Sequence, residues 1–158
     1  LQDNKPAYVR VSRGATEDVY DENPDFTLNK ANTVLPCGDV TIITCGELVP
    51  YAKEAAERLN AEGYSVGVID MYCLKPLDEQ AILEAASRSK VILTAEEHSP
   101  FGGLGSMVAQ VVSANHPIKV VQKALPDGHI IPGNNKEIFA HYGLDADGLY
   151  KAVKECLM

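Results

Sequence analysis

Short apolar runs and segments of helical periodicity take turns along this 158-residue chain, and that alternation leaves few folds open. Val40-Thr41-Ile42-Ile43-Thr44-Cys45 is apolar on nearly every residue, as a strand buried on both faces must be. From Glu47 to Ala61, Val49, Ala52, Ala56 and Leu59 recur at helical spacing. Pro50 is tolerable in a first turn, and Gly63 supplies the stop. Ser65–Asp70 reads as a second strand, and Asp78 is placed to cap a helix carrying Ile82, Leu83 and Ala86. Lys90–Ala95 is a third strand, Leu104, Val108, Val111 and Val112 mark a third helix, and Ile118–Gln122 is a fourth strand. Strands separated by helices need right-handed crossover connections, so the sheet is mainly parallel.

The flanks complete the pattern. Thr33–Leu35 predicts an edge strand, halted at Pro36-Cys37-Gly38-Asp39. Residues 7–12 alternate and read as a further strand, and 14–30 form a polar connector. After Lys123 come a proline- and glycine-bearing loop and two short helices, the last capped by Asp145 with a stripe of Leu149, Val153 and Cys156. The expected fold class is α/β: a three-layer α/β/α domain over residues 32–158, with a mostly parallel, about five-stranded sheet, entered by an arm and linker over residues 1–31.

A formal net charge of -8 argues against a nucleic-acid or anionic-membrane surface, though it leaves room for one phosphate site built around an arginine. No apolar run approaches the roughly 20 residues of a membrane span, and no basic-then-apolar signal opens the chain. Cys37, Cys45, Cys73 and Cys156 show no paired spacing and read as buried, reduced thiols of a cytoplasmic protein. The four histidines are scattered, so metal binding is not expected. An opening Leu1 in place of methionine suggests a processed or truncated product, or a cloning boundary.

Ligands of parallel sheets bind beyond the carboxyl ends of the strands, which here carry Gly46-Glu47, Asp70-Met71-Tyr72 and Glu96-Glu97-His98. Two carboxylates beside an imidazole could do acid–base work, but no nucleophile lies at a fitting spacing. A polar interface or loop-bracing network is the favoured reading of that cluster. Gly102-Gly103-Leu104-Gly105-Ser106 opens a helix whose free N–H groups could hold an anion. Counted from Gly103, Val108 occupies the third glycine position of a dinucleotide fingerprint, and tight turning with close helix–sheet packing explains the glycines more simply. Ser106 lies in no nucleophile elbow. Asp127-Gly128 with Asn134-Asn135 has too short a spacer for the diphosphate motif of thiamine enzymes. Arg10 and Arg13 offer rigid forks for a phosphate or carboxylate. Their odd spacing puts them on opposite faces of a strand unless Gly14 turns Arg13 toward a ligand; surface ion pairing is the alternative.

Several stretches in order resemble the transketolase family, especially the second subunit of its two-chain members. They are Pro6–Gly14, Tyr20-Asp21-Glu22 with Phe26–Ala31, Gly38–Ile43 with Cys45-Gly46, Val68–Met71, Lys75–Asp78, Thr94–His98 with Gly102–Ser106, Leu125-Pro126-Asp127 and His141–Leu144. The resemblance implies the C-terminal domain of a thiamine-diphosphate-dependent enzyme that moves a two-carbon ketol unit between phosphorylated sugars. It implies thiamine diphosphate and magnesium in the complete enzyme but no cofactor held by this chain, which is then inactive alone. It further implies missing cofactor-binding domains or a partner subunit, and a homodimer of the whole. Arg13, with Arg10 second, matches the family's substrate-phosphate arginine; Glu96, Glu97 and His98 match a loop facing neighbouring domains. Deoxyxylulose-phosphate synthase, the β subunit of a 2-oxoacid dehydrogenase, a non-catalytic regulatory module and a small nucleotide-binding domain are the competing readings.

Overall fold

The computed structural model describes residues 6–9, 15–20 and 24–158. Its elements run β1 (Asn32–Leu35), β2 (Val40–Thr44), α1 (Val49–Ala61, entered through a 3-10 turn at Gly46–Leu48), β3 (Val66–Asp70), α2 (Glu79–Arg88), β4 (Val91–Glu96), α3 (Leu104–Asn115), β5 (Lys119–Ala124), α4 (Asn135–Tyr142) and α5 (Ala146–Leu157). The sheet order is β1-β3-β2-β4-β5, parallel throughout except for β1, which runs antiparallel to β3. The three-layer, mostly parallel, five-stranded architecture read from the sequence is the one observed.

Why the sheet is buried on both faces is plain from alternation. Val40, Ile42, Val66, Val68, Val91, Leu93 and Ala95 turn toward α1 and α5, while Ile43, Ile69 and Ile92 turn toward α2 and α3. Every residue of β2, β3 and β4 is buried, including Thr41, whose hydroxyl meets that of Ser89 at 2.7 Å. Three helix starts are closed by the side chains of their own N-cap residues: Asp78 Oδ1 accepts from Ala81 N, Asn134 and Glu137 form a reciprocal capping box, and Asp145 accepts from Gly148 N. Each such cap is worth about 1 kcal/mol. Helix α4 ends on Gly143 in the left-handed region, at φ 67, a conformation that a Cβ disfavours.

Two expectations shift. Pro6–Val9 are exposed and belong to no strand, since no described residue pairs with them to complete a ladder; the rest of that predicted strand lies outside the described residues. The thiols are less uniformly buried than their apolar surroundings suggested: Cys73 is buried, whereas Cys37, Cys45 and Cys156 are half-buried, and all four are free. No helix among the described residues is long and apolar enough to cross a membrane.

Candidate functional site

From β2 the chain crosses to β3 on one side of the sheet, then returns past β2 to reach β4 on the other. The connections leaving the carboxyl ends of β2 and β4 therefore run to opposite sides, and at that switch point Cys45 follows Thr44 while Glu96 follows its register partner Ala95. Strand β4 continues one residue further than its apolar run indicated. That extra residue places Glu96 in the row of Ile92 and Thr94, facing α3 rather than solvent.

The Glu96 carboxylate is 3% exposed and spans the start of α3. Its Oε2 accepts from Leu104 N and its Oε1 from Gly105 N, each at 2.8 Å. Two orphan donors of the helix N-terminus are thereby filled by a charge the helix dipole favours. The glycine run follows from the same contact. A Cβ on Gly103 would collide with the Glu96 carboxylate, and one on Gly105 would come within 2.7 Å of Thr94 Oγ1 and 2.9 Å of Gln122 Cγ. Gly102 takes φ 75, and Ser106 Oγ donates to Pro100 O at 2.6 Å while accepting from Gly102 N at 3.0 Å. The anion site considered for this helix is thus occupied from within, and Ser106 braces the turn.

Of the three residues expected on an interface loop, Glu96 turns inward as the brace, while Glu97 and His98 are exposed. The carbonyl of His98 accepts from Leu125 N at 3.0 Å, and His98 Nδ1 lies 3.2 Å from Ser99 O. The loop is thus tied to the start of the segment after β5 through His98. Burial, followed by the nearby carboxylates of Glu96, Asp70 and Glu97, pushes the half-buried Cys45 thiol up to about 11, so it stays protonated at neutral pH. Arg10 and Arg13, the candidate phosphate ligands, lie outside the described residues. Asn134 and Asn135 start α4, with Asn135 Nδ2 donating to Glu47 at 2.7 Å.

Two features went unread in the sequence. Asp70, at the end of β3, is 6% exposed and accepts from the Tyr20 hydroxyl at 2.6 Å; burial holds its carboxyl above the usual range, opposed by that bond. An open cleft of about 900 Å³ lies between Ala15–Glu17, the start of α1 and the start of α4, with Glu17, Glu47, Glu54 and Asp145 among its lining residues. Both join residues distant in sequence, and no local pattern announces either.

Among the described residues no cluster of three or more His, Cys, Asp or Glu side chains could hold a metal ion. The start of α3, whose amides were the candidate anion site, already carries the Glu96 carboxylate. The described residues therefore do not fit thiamine diphosphate with magnesium.

Residues 29–149 match the family model described as "Transketolase, C-terminal domain". The chain is 48% identical over 153 residues to one of the subunits of the apulose-4-phosphate transketolase of Phocaeicola vulgatus, covering 96% of this chain and 48% of that protein. It is 37% identical over 149 residues to the 1-deoxy-D-xylulose-5-phosphate synthase of Pseudoalteromonas atlantica, covering 92% of this chain and 23% of that one. A split-gene transketolase, solved as an inactive beta4 tetramer, superposes with a TM-score of 0.81 at 36% identity, covering 90% of this chain and 46% of the other. The chain thus spans about half the length of its split-transketolase relatives.

Proposed function

The chain belongs to the transketolase C-terminal domain family, and on that premise we propose that it is the assembly domain of a two-chain transketolase, catalytically incomplete by itself. Residues 32–158 are the domain, and residues 1–31 are the arm and linker leading to the cofactor-bearing part. Ketol-transfer chemistry would come from thiamine diphosphate and magnesium held outside this chain.

The observation that carries this reading is a concentration of exposed apolar side chains at one end of the sheet; Tyr64 before β3 and Met158 after α5 are exposed elsewhere, and Tyr8 and Val9 lie on the arm. Phe26, Leu28, Leu74, Phe101 and Ile130 all sit on segments at the carboxyl end of the sheet: Leu74, Phe101 and Ile130 follow β3, β4 and β5, and Phe26 and Leu28 precede the antiparallel β1. Leu28 is 74% and Phe101 72% exposed. The chain also enters the domain at this end, since Tyr20 is bonded to Asp70 there. Five exposed apolar side chains at one end, beside the entry point and near the exposed Glu97 and His98, suit a partner that covers this end. We assign that cover to the cofactor-bearing domains or subunit, and the finished assembly to a homodimer of the complete unit.

Arg13 is the proposed ligand of the substrate phosphate, with Arg10 as the lesser candidate. In the assembled enzyme, Arg13→Ala is expected to raise KM for a sugar phosphate about tenfold or more, the loss of one charge-assisted contact. An unphosphorylated sugar should be unaffected. Calorimetry of the chain with thiamine diphosphate alone should show no binding, and micromolar affinity would sink the incompleteness claim. The 37% identity to a synthase supports a second reading, the equivalent domain of a 1-deoxy-D-xylulose-5-phosphate synthase. Formation of that product by the assembled enzyme, in place of ketol transfer, would decide for it.

A further inference from the structure

The described residues of the linker between 15 and 31 form no strand and no helix, and those before Ala31 are exposed apart from Val19, Tyr20 and Pro24. Even so, it is tied down along its length. Lys53 Nζ donates to Val19 O at 3.1 Å, and Tyr72 Oη donates to Thr27 O at 2.7 Å. The Ala31 amide donates to Asp78 Oδ2 at 3.0 Å. Phe26 stands edge-on to both Tyr20 and Tyr72, with ring centroids 5.9 and 4.8 Å away.

At the centre of these ties is a receptacle for one hydroxyl group. Tyr20 Oη donates to Asp70 Oδ2 at 2.6 Å. Asn32 is the cross-strand partner of Asp70 in the β1–β3 register, so their side chains share a face of the sheet. Two buried atoms of that pair, Asp70 Oδ1 and Asn32 Nδ2, have no hydrogen-bond partner among the described residues. The Asn32 amide acts on the same phenol, opposing the rise in its pKa that burial and Asp70 cause. An acceptor and a donor thus flank one hydroxyl, and among the described residues that hydroxyl is the side chain bonded to the carboxylate buried beneath the linker. Leaving such a group wholly unpaired costs more than losing an ordinary surface hydrogen bond.

We propose that Tyr20, Asp70 and Asn32 form a hydroxyl-reading clasp that closes the linker onto the domain as a strap. The clasp fixes the direction from which the preceding segment reaches the carboxyl end of the sheet. Its members are positioning residues for docking of the cofactor-bearing part, a role that rests on the function proposed above. By holding the linker on the face to be covered, the clasp lowers the entropy lost when a partner closes over that face.

The test is native-state cleavage by trypsin after Lys30, which needs the strap to open. Tyr20→Phe keeps the ring and removes only the hydroxyl; it is expected to speed this cleavage about tenfold or more. The Phe26–Tyr72 ring contact, followed by nuclear Overhauser effects, should weaken in parallel. Asp70→Asn retains an acceptor and should stay within about twofold of the native rate, whereas Asp70→Ala should match Tyr20→Phe. The double variant Tyr20→Phe/Asp70→Ala should be no faster than either single one, because both remove the same interaction. Native-like cleavage in Tyr20→Phe, or additive effects in the double variant, would overturn the clasp. In the assembled enzyme, Tyr20→Phe should weaken association between this chain and its partner; an opened strap with unchanged association would overturn the positioning role. If the native chain joined no cofactor-bearing partner, the proposed function would fall, while the cleavage series would still decide the clasp.

Discussion

Replacing Glu96 with alanine should be among the most damaging single changes in the domain, because of what its carboxylate holds together. The carboxylate receives two backbone N–H bonds of 2.8 Å at a site 3% exposed. Charge-assisted bonds contribute about 1.5–3 kcal/mol each, while keeping a carboxylate out of water offsets a large part of that gain. The expected net loss is about 3 kcal/mol, a fall in Tm of about 6–12 °C for a chain of this size. Urea denaturation followed by circular dichroism would measure it. A second substitution makes the test specific. Gly103 sits at φ -85 and ψ -166, which alanine adopts freely, so Gly103→Ala suffers only from its Cβ striking the carboxylate. Overpacking of that kind costs about 1–3 kcal/mol. In Glu96→Ala the obstacle is gone, so Gly103→Ala should then cost less than about 0.5 kcal/mol. A loss below about 1 kcal/mol for Glu96→Ala, or strictly additive effects of the pair, would refute the brace.

Two further outcomes follow from single contacts. Asp78 caps α2 through Ala81 N and also holds the end of the linker through Ala31 N, so Asp78→Ala should lower stability by about 1–2 kcal/mol in urea, and Asp78→Asn, with one acceptor oxygen in place of two, should recover only the part due to one of the two bonds. Cys45 is an acid whose pKa rises from 9.0 to about 11 on folding, so the folded state keeps a proton that the unfolded chain releases as pH climbs through that window. Stability should therefore decline between those values by about 2–3 kcal/mol, an effect absent in Cys45→Ala. Site-resolved alkylation by iodoacetamide should show a rate midpoint near 11 at this thiol, and a midpoint at or below 9.0 would contradict its assigned surroundings.

Much of the architecture was legible because it rests on local signals. The continuous apolar runs of β2, β3 and β4 required burial on both faces, and the intervening helical stripes required crossovers. Asp78 and Asp145 were read as caps from their places before apolar stripes, and both accept the expected amide. The glycine run was read as a packing device, and Gly103 and Gly105 are one. Glu96 was harder, because Glu96-Glu97-His98 looks like a single polar loop. One extra residue of strand separates Glu96 from its neighbours and turns it under α3.

What the linear order of residues determined by itself, then, was the alternation of strands and helices and hence the α/β class, since periodicity and burial are properties of neighbouring positions. Tertiary structure alone decided how Glu96 meets the amides of Leu104 and Gly105, and how Tyr20 reaches Asp70 across 50 residues. The physical reason is the same in both cases. A hydrogen bond between distant segments depends on sheet order, strand register and the exact end of a strand, and these are settled only when the whole core packs.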